Sequence, residues 1–133
     1  MNSYCHGSSN GEIDLLMPTK ISTPLDQKEE RLRCTFDKWL AAVFALDWHD
    51  EIARLDWNKV NWEREKIFLI LDKEKVKDKS WYIYTLPKYI EPINHNSFEY
   101  YYLIPQKPTE KIYIQSLFEY ISQNNIKIRY KNI

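Results

Sequence analysis

Lys66-Ile67-Phe68-Leu69-Ile70-Leu71-Asp72 places five apolar residues in a row between charged neighbours. The run has strand length, and its continuity predicts a strand buried on both faces. Two further segments read the same way: Trp81-Tyr82-Ile83-Tyr84-Thr85-Leu86 and Phe98-Glu99-Tyr100-Tyr101-Tyr102-Leu103-Ile104. Both are rich in aromatic and β-branched residues, and Pro87 and Pro105 stop them. At the end of the chain Ile126-Lys127-Ile128-Arg129-Tyr130 alternates apolar and charged. That pattern predicts a strand at a sheet edge with one face toward water.

Helical periodicity lies outward from these runs. Leu32, Phe36, Trp39, Leu40, Val43 and Phe44 recur at i, i+4, i+7, i+8, i+11 and i+12. Asp26 and Glu29 precede them at capping-box spacing, so we expect a helix over about 27–46. Leu46-Asp47-Trp48 repeats as Leu55-Asp56-Trp57 nine residues on. Nine positions put the copies on opposite sides of a continuous helix. We therefore expect a break near 47–50, a short helix over about 50–56 and an irregular or extended link to Trp62. Pro108 opens a second helical pattern through Ile114, Leu117, Phe118 and Ile121, ending near Asn124-Asn125.

Residues 1–25 differ from the rest. They hold both glycines, Pro18, Pro24 and clustered Ser, Asn and Thr, with Ile13, Leu15, Leu16 and Met17 as the one stretch able to dock. The expected organisation is a flexible arm over 1–25 and a single α+β domain over 26–133. In that domain a mainly antiparallel sheet of about four strands is packed by two main helices. The expected core is Leu32, Phe36, Leu40, Val43, Phe44, Ile67, Leu69, Leu71, Ile83, Leu103, Leu117, Phe118 and Ile121.

The 133 residues fit one domain by size. No glycine follows Gly11. Dinucleotide turns, phosphate loops and nucleophile elbows all need glycine where backbone must meet a ligand or turn sharply, so the body of the chain excludes them. The 19 basic and 19 acidic residues cancel, and no global field favours nucleic acid or anionic lipid. The tilt between halves is mild: residues 1–66 hold 9 basic and 12 acidic residues, and residues 67–133 hold 10 and 7. Cys5 and Cys34 form neither a CxxC pair nor a disulfide framework, and reduced thiols are expected. With no leader-like N-terminus and no long apolar run, the expected location is the cytoplasm.

Three groups of residues compete for a functional role. Lys73, Lys75, Lys77 and Lys79 recur at period two. In an extended hairpin they form a comb able to track phosphates, or a solvated tip that protects strand edges. Aromatic residues are interleaved with Lys88, Lys127 and Arg129, which suits base stacking or a protein interface. Asp47, His49, Asp50 and Glu51 crowd one turn, but no second His or Cys lies near them in sequence, and a solvated helix end accounts for them better than a zinc site. Cys34 and the serines lack any nucleophile motif. No catalytic residues, cofactor or metal site are assigned.

The expected function is a non-enzymatic protein-interaction module: an accessory subunit of a larger complex, or an inhibitor or immunity-type protein. Trp48, Trp57, Trp62, Tyr82, Tyr101 and Tyr130 are the expected binding residues. The alternative is single-stranded RNA or DNA binding, alone or as part of a nucleoprotein complex. There the same tyrosines would stack on bases, with Lys73, Lys75, Lys77, Lys79, Lys127 and Arg129 on phosphates.

Overall fold

The computed structural model describes residues 4–20, 30–46, 53–60, 63–88, 90–95 and 99–131. Among these the fold is α+β and rich in strand, with ten strands in three small sheets and two helices. The strands are β1 (Cys5–Ser8), β2 (Thr19–Lys20), β3 (Glu30–Cys34), β4 (Ala53–Val60), β5 (Glu63–Ile70), β6 (Trp81–Thr85), β7 (Ile93–Asn94), β8 (Tyr100–Tyr102), β9 (Glu110–Ile114) and β10 (Ile126–Tyr130). The helices are α1 (Lys38–Ala45) and α2 (Leu117–Gln123). The sheet orders are β1-β6-β9, β10-β5-β4 and β2-β3-β8-β7, and every pairing is antiparallel except β10 with β5.

The apolar run at 66–72 lies in the central strand of its sheet. Neighbouring Ile67 and Phe68 point to opposite faces and both are buried. A central strand needs a partner on each side, and β10 and β4 supply them, with Ile126 opposite Lys66 and Ala53 opposite Ile70. This corrects the short helix expected over 50–56, because residues 53–60 pair with β5 along its full length. The expected break at 47–50 and residues 51–52 lie outside the described residues.

The sheet β1-β6-β9 separates two cores. One side of β6 carries Ile83 into a cluster with Val43, Phe68, Leu117, Ile121 and Ile126. The other side carries Tyr84 into a cluster with Leu16, Leu32, Leu86 and Tyr102. The opposed burial of Ile83 and Tyr84 follows from the period of two.

The helix expected over 27–46 is in fact a strand followed by a helix. Leu32 and Cys34 face the second core at period two, opposite Tyr102 and Tyr100. The 3.6 period governs only Lys38–Ala45, after Asp37 with extended φ −139° and ψ 148°. The second helix is also shorter than the pattern from Pro108 suggests. Glu110–Ile114 pairs with β6, and α2 begins at Leu117. Ser116 caps it by accepting from the Glu119 N–H at 3.2 Å. Asp78 accepts from the Phe118 N–H at 3.0 Å and from the Ser116 hydroxyl.

The N-terminal segment is built into the body rather than free. β1 pairs with β6, and Cys5 bridges to Thr35 through N–H···O bonds of 2.7 and 2.9 Å. Leu16 exchanges backbone bonds of 2.9 and 3.0 Å with Gln106. Cys5 and Leu16 are buried, and Tyr4 and Ile13 pack against the second core. Leu15 and Met17 stay exposed. Burial of these few side chains, together with strand pairing, offsets the ordering entropy that a polar segment would otherwise keep.

Both glycines sit where aromatic rings meet backbone. A Cβ at Gly7 would stand 2.5 Å from Trp81 Nε1, and one at Gly11 would enter the Tyr82 ring. Glycine alone permits that approach.

Of the expected core, Leu32, Leu40, Val43, Ile67, Ile83, Leu117 and Ile121 are buried. Phe36, Phe44, Leu69, Leu71 and Phe118 are half-buried, and Leu103 is 47% exposed. Leu103 follows β8, whose pairing ends at Tyr102, so it lies past the sheet that would have covered it.

Candidate functional site

The sheet β2-β3-β8-β7 has one face in the second core and the other toward solvent. Leu32, Cys34 and Tyr102 are buried beneath it. Alternation puts Arg31, Arg33 and Tyr101 on the outer face. The register sets Arg33, Tyr101 and Ile93 in one row across three strands. The Arg31 guanidinium lies over the Tyr101 ring, 4.0 Å from its centroid. Its Nη1 is 3.5 Å from His95 Nδ1, and His95 Nε2 is 4.0 Å from Glu99. A planar cation stacked on an aromatic face is attractive.

Exposed apolar side chains occur in the segments that flank this sheet. Seven large hydrophobics among the described residues are exposed: Leu15, Met17, Ile90, Ile93, Leu103, Ile104 and Tyr113. All but Tyr113 come from residues 15–17 and 90–104, and pairing brings these segments together. Leu16 bridges to Gln106, two residues past Ile104. The Tyr102 hydroxyl donates to Ile90 O at 2.9 Å, and Ile93 pairs with Tyr101. The register thus sets exposed Ile93 beside Tyr101, and exposed Leu103 follows two residues on.

The other expected binding aromatics are placed differently. Tyr82 is half-buried, with its ring against Gly11, Tyr113 at 5.0 Å between centroids and Lys111 Nζ at 5.8 Å. Tyr130 is half-buried against the first core. The backbone of Trp57 pairs with Lys66 in β4, but its side chain lies outside the described part. Trp48 and Trp62 lie outside the described residues altogether, as do Asp47, His49, Asp50 and Glu51. Among the described residues Tyr101, also half-buried, is the expected binding aromatic that lies on the outer face of that sheet. Of the exposed hydrophobics, Leu103 was expected in the core and Ile104 in the strand ending at Pro105, Tyr113 fell within the helical pattern opened by Pro108, and Ile93 belonged to no expected element.

The lysines do not form a single extended comb. The segment after β5 turns, with the Lys75 and Val76 N–H groups both donating to Asp72 O. Val76 is buried in the first core. Lys73, Lys75 and Lys77 are exposed, while Lys79 is half-buried with Nζ 4.6 Å from the Trp81 ring centroid. The segment joins strands of two different sheets and so is not a hairpin tip. Lys127 and Arg129 are exposed on β10, away from that turn in sequence.

Both cysteines are free and buried. Burial pushes the Cys5 thiol up to about 11, and burial with the neighbouring Cys5 pushes Cys34 up to about 12. Neither is a thiolate near neutral pH, so neither offers a ready nucleophile. Among the described residues no three His, Cys, Asp or Glu side chains stand close enough to hold a metal ion. No helix among them is long and apolar enough to cross a membrane. No family model, curated protein or solved structure matches the chain.

Proposed function

We propose that this protein is a non-enzymatic interaction module that docks a protein partner on the outer face of β3, β8 and β7. The observation that carries the proposal is the Arg31 guanidinium lying over Tyr101 on the outer face of β3 and β8, with exposed Ile93 paired beside Tyr101 and exposed Leu103 two residues on. Tyr and Arg are the residues that dominate binding energy at interface centres, and an apolar patch of this kind is costly to leave in water. An accessory subunit or an inhibitor uses such a face in the same way.

The alternative is single-strand nucleic-acid binding. It is favoured by one observation, the 58% exposed Tyr113 packed at a tilt against Tyr82, with Lys111 beside the Tyr82 ring. Salt separates the two readings. Tagged full-length protein is used as bait in an extract of its source, with and without nuclease, at about 50 and 200 mM salt. A stoichiometric protein that survives nuclease and both salts, and is lost with Tyr101→Ala plus Leu103→Ser, supports the interaction module. Recovery of nucleic acid that falls steeply with salt, or a protein retained by that variant, refutes it.

A further inference from the structure

A cavity of about 510 Å³ opens where β1 runs between β3 and β6, on the C-terminal side of α1. Its size falls in the range of small-molecule sites, roughly 300–1,000 Å³. Its walls include His6, Arg33, Phe44, Leu46, Trp81 and Glu99.

His6 sets the chemistry. Its Nδ1 is 2.6 Å from the Arg33 carbonyl oxygen, so Nδ1 carries the proton and donates. That bond fixes the tautomer and leaves Nε2 as a lone-pair acceptor with no partner among the described residues. Nε2 is not sealed from solvent, and His6 lines the cavity. Burial lowers the affinity of His6 for a second proton, and the imidazole is neutral at pH 7.

The remaining walls restrict what can enter. Phe44 and Trp81 offer aromatic surface, and Leu46, Ala41 and Ala45 are apolar. The Trp81 Nε1 is sealed against Gly7 and supplies no donor. One guanidinium and one carboxylate, Arg33 and Glu99, balance each other in charge. A net anion would face Glu99, and a net cation would face Arg33.

We infer that this cavity binds a small, uncharged, planar molecule that donates an N–H or O–H to His6 Nε2 and lays its ring against Phe44 and Trp81. The cavity shares Arg33 and Glu99 with the edge of the docking face, but its ligand is a small molecule held by His6, and the inference stands whether or not that face binds a protein. The probe pair is indole and 1-methylindole, which differ at the donor alone. Full-length ¹⁵N-labelled protein is titrated with each while the His6 ring nitrogens and the Phe44 and Leu46 amides are followed by NMR. The expected result is saturable binding of indole with a shift at His6 Nε2, and binding of 1-methylindole about five- to tenfold weaker, the effect of one neutral hydrogen bond. Equal affinity for the two probes overturns the inference. So does an absence of saturation with indole, or a set of shifts centred away from His6.

Discussion

Leu16→Ala and Leu15→Ala differ by one position in the N-terminal segment, yet they are expected to behave as core and surface substitutions. Leu16 is 2% exposed within the second core and is held by paired backbone bonds to Gln106. Truncating a buried leucine removes its transfer free energy and leaves a cavity, for about 2–5 kcal/mol. Leu15 is 48% exposed, and its truncation should cost less than about 0.5 kcal/mol. At roughly 2.1 cal/mol/K of unfolding entropy per residue, a chain of 133 residues loses about 3–4 °C of Tm per kcal/mol. The Leu16 variant should therefore melt about 7–18 °C below the parent, and the Leu15 variant within about 2 °C of it. Scanning calorimetry and urea titration measure both directly. Two neutral substitutions would mean that the segment is a free arm after all, and the packing of β1 and Leu16 would be refuted.

Gly7→Ala should destabilise by about 1–3 kcal/mol through overpacking on Trp81, with an altered indole emission; a loss under 0.5 kcal/mol by urea titration refutes the close approach. Asp78→Ala removes the acceptor for Phe118 N–H and Ser116 Oγ and should cost about 1–2 kcal/mol; an unchanged midpoint contradicts the cap. His6 has a lowered pKa when folded, so the unfolded chain binds the proton first as pH falls. Its contribution is complete above about pH 7, declines below the ordinary value of 6.5, and is constant once the folded group titrates. Stability curves of the parent and His6→Gln should converge through that window, and parallel curves would refute the assignment. Cys5 and Cys34 work in the opposite direction. Their raised values mean stability is lost as pH rises from 9 towards 11–12, which Cys34→Ala should partly relieve in an alkaline unfolding titration.

How much could be read in advance depended on which physical signal each segment carried. The run at 67–71 and the alternation at 126–130 were legible because burial on two faces and on one face leave different local patterns. The segment at 32–44 misled because Leu32 and Phe36 fit a helical stripe, while Leu32 and Cys34 fit a strand equally well. Only the long-range pairing with Tyr102 and Tyr100 decides between them. The start of α2 was signalled by Ser116 with Glu119 three residues on, a capping-box spacing overshadowed by the apolar period from Ile114. The docking of residues 5–16 was less legible, since four polar or small residues in β1 are held by their partners rather than by their own hydrophobicity. For the candidate site, Tyr101 was legible as an aromatic that must leave the core of a Tyr-Tyr-Tyr strand. The placement of Ile93 beside it was not, because only the pairing of β7 with β8 sets that register.

The central claim is that the Arg31–Tyr101 face meets a protein. A photo-crosslinking amino acid placed at Leu103, on that face, and separately at Ser122, exposed on α2, tests it in cells of the source. The account predicts one discrete protein adduct from position 103 and none from position 122. Equal labelling from both positions, or adducts to nucleic acid alone, would contradict it.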